Sequence, residues 1–120
     1  MNNTIRAEAV RDRADELFVL DVRPAYSYHE NHIVESHNLP IYDQLAGESF
    51  IGLDASLDEL PDDQEIAVVC FSGSKASLAA EHLRKRGYDA KALIGGMSDW
   101  PYETVGEAPA ATVRSIQARG

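Results

Sequence analysis

One cysteine stands in the chain, Cys70, and it follows directly on the apolar run Ile66-Ala67-Val68-Val69. After it come Phe71-Ser72-Gly73-Ser74-Lys75 and then an alanine- and leucine-rich stretch. This order reads as a buried strand that stops, a tight loop, and a helix that starts. A sulfur at such a junction faces the loop's N–H groups and the positive end of the helix dipole, and both favour a thiolate over a thiol. The chemistry would be nucleophilic, with the N–H groups of Phe71 to Lys75 forming a cradle for an anion. A free cysteine is often only a small buried apolar side chain. What separates Cys70 from that case is Ser72-Gly73-Ser74, ill suited to a strand and well suited to an anion-binding loop.

Lys75 falls in the first turn of the expected helix, where a cation is mildly unfavourable with the dipole. It is either a solvated side chain or a cation kept there to hold an anionic substrate group, and its spacing from Cys70 favours the second. Asp21 and Arg23 flank the end of another apolar run and read as an ion pair that fixes a loop, or as part of the pocket floor. His32 and His37 lack the cysteine or carboxylate neighbours of a zinc site. Ser72 and Ser74 are not in a G-x-S-x-G turn, so neither is the expected nucleophile.

The elements that must position these residues follow from pattern. Residues 4–16 carry Ile5, Ala9 and Val10 among charges and predict a short amphipathic helix capped by Thr4. Leu17 to Val22 predicts a strand that Pro24 closes, Ala25 to Glu30 one or two helical turns, and Asn31 a left-handed cap. A short strand is expected at Asn38 to Ile41, helical turns at Tyr42 to Leu45 and Ser56 to Leu60, and a loop around Gly47 and Gly52. Glu65 to Val69 and Asp89 to Ile94 read as strands, Ser74 to Arg86 as the main helix, and Met97 to Trp100 as a short helical segment. Strands alternating with helices predict an α/β domain with a mainly parallel sheet. Cys70 then lies beyond the C-terminal end of a strand, where open α/β sheets place their sites.

Composition bounds the rest. A chain of 120 residues, 44% hydrophobic, is one domain with a core of its own. Residues 1–102 are its expected extent, and 103–120 an expected tail, either a marginal helix over 110–119 or mobile. A lone cysteine leaves no internal disulfide and no cysteine-built metal site, and it suits a reducing compartment. No signal-peptide-like or membrane-spanning apolar run is present, so the expectation is a cytoplasmic protein. The net charge of −9, with lysine only at 75, 85 and 91, argues against nucleic acid and anionic membranes as partners. It fits an acidic soluble surface or adaptation to high salt.

Read in order, these pieces resemble a single-domain rhodanese, a rhodanese-like sulfurtransferase, from about Leu17 to Trp100. Asp21-Val22-Arg23 resembles the family's opening strand signature. Tyr28, His32-Ile33, Asn38 and Pro40 match its next block, and Cys70-x-Ser72-Gly73-x-Lys75 its active-site loop. Ala79-Ala80, Leu83 and Gly87-Tyr88, then Leu93, Gly95-Gly96 and Trp100, match the motifs that follow. The resemblance implies a three-layer domain, a mainly parallel central sheet flanked by helices. It also implies a Cys70 persulfide that carries a sulfane sulfur from a small anionic donor to a thiol, a protein acceptor or cyanide. No cofactor or metal is implied. Four positions depart from the family: Phe71 and Lys75 replace common arginines, Glu35-Ser36 replace the usual Gly-Ala, and Ser27 replaces a glutamate that often pairs with the counterpart of Arg23. Related phosphatases on this fold have a loop one residue longer with an arginine six positions after the cysteine; here that position is Ala76. A rhodanese-like binding or regulatory module without turnover is the other alternative.

Overall fold

The computed structural model describes residues 2–106. Its centre is a five-stranded sheet made of β1 Thr4–Ile5, β2 Phe18–Asp21, β4 His37–Asn38, β5 Ile66–Val69 and β6 Ala90–Leu93. The strand order is β1-β6-β5-β2-β4, with every pairing parallel. A small antiparallel pair joins β3 (His32–Ile33) to β7 (Thr104–Val105). The helices are α1 Ala7–Asp12, α2 Ala25–Glu30, α3 Tyr42–Ala46, α4 Ile51–Ala55 and α5 Ser74–Lys85.

All four β5 residues are fully buried, as a middle strand covered on both faces must be. One face packs Leu20, Val22, Leu45, Leu53 and Val68 with the α5 residues Ala76, Ala79, Ala80 and Leu83. The other packs Val10, Val19, Ile33, Val69 and Leu93. Each fully buried Leu, Ile or Val stabilises the fold by about 1.5–3 kcal/mol. The α5 positions recur at the i, i+3, i+4, i+7 spacing of one helical face, and Gly87 at φ 94° follows the helix end.

The three-layer α/β architecture is thus as expected, and several local features differ. Thr4–Ile5 is a strand, not a helix start, because Ile5 gains a buried place beside β6, with Thr4 opposite Ala92 and Ile5 opposite Leu93. The helix that follows is only Ala7–Asp12, preceded by Arg6 without a side-chain cap. Asn31 is extended (φ −163°, ψ 145°) rather than left-handed, since it leads straight into β3. Among the described residues the non-glycine positions with positive φ are instead Glu35 (φ 66°) and Glu48 (φ 59°). The strand expected at Asn38 to Ile41 is only His37–Asn38, and Ile41 is already the N-cap of α3. Gly52 sits inside α4, where a side chain would collide with Gln44; its N–H donates to Gln44 Oε1 at 2.7 Å. β7 falls where a tail was expected, and the terminal helix expected over 110–119 lies outside the described residues. No helix among the described residues is long and apolar enough to cross a membrane.

Candidate functional site

Parallel pairing brings the C-terminal ends of β2 and β5 level, with Asp21 opposite Val69. The chain continues past β5 into Cys70, which is 1% exposed beneath its own loop. Gly73 turns that loop at φ 112°, a left-handed value that favours glycine. The turn aims the Gly73 N–H at Cys70 Sγ, 3.0 Å away, and the first turn of α5 adds the Ala76 N–H at 3.3 Å. Of the donors expected between Phe71 and Lys75, Gly73 therefore reaches the sulfur, and Ala76, one residue further on, joins it.

A second turn braces the loop from outside. The Met97 N–H donates to the Cys70 carbonyl and the Ser98 N–H to the Phe71 carbonyl, each at 2.9 Å. Across trans peptides, this points the N–H groups of Phe71 and Ser72 away from the bracing turn. Gly96 (φ 58°) lets the two backbones approach: a Cβ there would lie 2.5 Å from both the Cys70 and Phe71 carbonyl oxygens. The sequence showed Gly95-Gly96 as a turn, but its contact with the cysteine loop, and the part of Met97 and Ser98, carried no local signal.

Asp21 and Arg23 are both buried and hold one another. The Arg23 Nε donates to both Asp21 oxygens at 3.0 and 3.1 Å, and Nη2 to Oδ2 at 2.8 Å. Arg23 Nη2 also donates to the Asn31 carbonyl at 2.7 Å, and Asn38 Nδ2 donates to the carbonyls of Asp21 and Arg23. With Ser27 where a glutamate was usual, Arg23 thus finds its partner two residues back. The pair lies beneath the loop, with the guanidinium carbon 5.7 Å from the Phe71 ring centroid.

Phe71 is half-buried and meets Tyr42 edge to face at 5.1 Å; Lys75 Nζ lies over the Tyr42 ring at 5.8 Å. Ser72 and Ser74 are exposed. Tyr42 was legible only as the start of a helical turn, because α3 is far from the loop in sequence. His32 and His37 are engaged elsewhere. His32 stacks on Tyr28 and shares a 2.7 Å hydrogen bond with its carbonyl, and His37 stacks on Phe18. Among the described residues no three potential ligands converge on a metal position. Three surface clefts of about 390, 400 and 310 Å³ are lined by other residues, so the loop and its two aromatic rings, rather than any of these clefts, define the surroundings of Cys70.

The arrangement can hold an anionic sulfur: two N–H dipoles aim at it, the side chain is buried, and the Met97–Ser98 turn braces the loop. Comparison with known proteins gives the family. A family model described as a rhodanese-like domain matches residues 6–103. The chain is 34% identical over 90 residues to "Adenylyltransferase and sulfurtransferase MOCS3-2" of Zea mays, covering 74% of this chain and 18% of that protein. It is 30% identical over 104 residues to "Putative sulfur carrier protein YrkF" of Bacillus subtilis, covering 83% of this chain and 51% of that one. The chain therefore spans under a fifth of the maize relative and about half of the bacterial one. Among solved structures, a rhodanese-related protein from Thermoplasma volcanium superposes with a TM-score of 0.71 at 26% identity, covering 86% of this chain and 97% of that one. A rhodanese-like domain from Anabaena gives 0.72 at 23% identity, covering 100% and 91%, a likeness of fold.

Proposed function

The chain belongs to the rhodanese-like domain family, and on that premise we propose that it is a sulfurtransferase whose Cys70 carries a sulfane sulfur as a persulfide. The observation that carries this reading is the pair of N–H groups, Gly73 and Ala76, aimed at the buried Sγ. A core cysteine would need no such donors. The Cys70 thiolate attacks the outer sulfur of a donor; the donor's S–S bond breaks, and its electron pair leaves with sulfite or a thiolate. An acceptor thiolate or cyanide then attacks the outer sulfur of the persulfide, and the electron pair of that S–S bond returns to Cys70. The donors stabilise negative sulfur before and after the first step. Phe71 to Lys75 line the donor's approach, and Asp21 and Arg23 support the loop from below. The donor is a small sulfane compound, and the acceptor a thiol, on a small molecule or a protein, or cyanide. A cysteine alternating between thiolate and persulfide suits a reducing compartment, which supports action in the cytoplasm.

Exposure to thiosulfate or polysulfide in turn should add the mass of one sulfur to the protein, and none to Cys70→Ser. Wild type left unmodified by both and by an organic persulfide would end the reading in favour of a binding module. Phosphatase activity is disfavoured because the Ala76 side chain is fully buried where a phosphoryl clamp would need an arginine; release of phosphate from an aryl phosphate would reverse that judgement.

A further inference from the structure

Beside the Cys70 loop stand two aromatic rings, and among the described residues Lys75 is the cation there without an ion-pair partner. Phe71 and Tyr42 stand edge to face at 5.1 Å. Arg23, beneath Phe71, is 3% exposed and has its charge balanced by Asp21. Lys75 has no carboxylate within ion-pair distance among the described residues, and its Nζ rests over Tyr42. The Gly73 and Ala76 N–H groups already serve Cys70 Sγ. A compact dianion such as thiosulfate would shed water against two aromatic rings with a single ammonium to compensate. It would also approach a chain of net charge −9. A carbon-bearing group would instead pack on those rings.

We propose that Phe71, Tyr42 and Lys75 make an organic persulfide, R–S–SH with an apolar carbon body, the preferred sulfur donor over inorganic thiosulfate. The inference rests on the sulfurtransferase reading and names its donor. The Cys70 thiolate bonds to the outer sulfur, the S–S bond that joined that sulfur to R–S breaks, and its electron pair leaves on RS⁻. The proton of the outer sulfur stays on the new Cys70 persulfide or passes to RS⁻, and nothing is oxidised or reduced overall. The Phe71 and Tyr42 rings hold R, and the Lys75 ammonium faces the negative charge that develops on the departing sulfur.

The test compares kcat/KM for benzyl persulfide, generated in situ, with that for thiosulfate, using one thiol acceptor. Wild type should favour the persulfide by at least about tenfold, the scale on which an apolar pocket discriminates. Phe71→Arg should narrow that ratio by about tenfold, chiefly through a lower KM for thiosulfate. Lys75→Met should lower kcat for the persulfide more than it changes KM. Equal or better use of thiosulfate by wild type overturns the donor assignment while leaving sulfur transfer standing, and it does so whether or not the variants fold. A ratio that stays fixed in folded Phe71→Arg removes Phe71 as its cause. Failure of both donors to load Cys70 removes the donor assignment and the sulfurtransferase reading together.

Discussion

Single residues carry the departures that give this chain its character. Glu35 is one. It stands where glycine is usual in the family, and it occupies φ 66°, a region costly for a residue with a Cβ. The turn tolerates it because its neighbours are fixed: the Ser36 N–H donates to the Ile33 carbonyl at 3.0 Å, and Ser36 Oγ donates to the same oxygen at 2.7 Å. Tyr28 Oη adds a bond to the Ser36 carbonyl. Glu35→Gly should relieve that strain and raise the stability to urea by about 1 kcal/mol. A loss of stability would mean that the side chain makes a contact outweighing its backbone. Gly96 is the converse case. There no other residue fits, because a Cβ would meet the Cys70 and Phe71 carbonyls. Both positions were visible in the sequence, one as a departure and one as half of a glycine pair. Neither could be weighed there, because strain and clash depend on what stands opposite.

Between elements, the decisive contact is the buried ion pair that closes the end of β2. Arg23 ties that end to the Asn31 carbonyl at the close of α2, and Asn38 at the end of β4 secures the same backbone. Three segments are thereby fixed beside the cysteine loop. Arg23→Met would leave the Asp21 carboxylate buried, with only the Arg23 backbone N–H (3.0 Å) still donating to it. The expected cost is about 3–5 kcal/mol in chemical denaturation, far more than an exposed pair would show. A loss below about 1 kcal/mol would mean that water reaches Asp21 and the pair is effectively a surface one. The sequence offered Asp21 and Arg23 as an ion pair or a pocket floor; the two form a buried ion pair, which leaves Lys75 as the nearby cation without an acidic partner among the described residues.

Across the whole molecule, the charged side chains hold the sheet at the end opposite the site. Glu65, just before β5, accepts from Arg13 at 2.6 Å and from Lys91 on β6 at 2.8 Å. Burial pushes the Glu65 carboxyl up, but the hydrogen bonds from Lys91 and Arg13 outweigh it and hold the group below the usual glutamate range. Its folded value is depressed, so its stabilisation is complete above the ordinary glutamate value of 4.5 and disappears as pH falls through the lower folded value. Glu65→Gln should cost on the order of 1 kcal/mol at neutral pH, discounted for the exposure of Arg13. The gap to wild type should close under acid, as read by denaturation at a series of pH values. A gap that persists in acid would assign the loss to packing rather than charge.

The sequence alone determined the architecture and the place of the cysteine loop within it. β5 and α5 are runs whose periodicity and burial agree, and the step from Val69 through Cys70 to Gly73 admits few backbone paths. Short segments were decided by tertiary structure, because two-residue strands such as Thr4–Ile5 and Thr104–Val105 have no periodicity and exist only through their pairing partners. The same holds at the site. Cys70 and its loop were legible because they are local. The bracing by Gly96, Met97 and Ser98, the Ala76 donor and the Tyr42 wall depend on how the parallel sheet and α5 bring distant segments together, and spacing along one chain does not encode that distance.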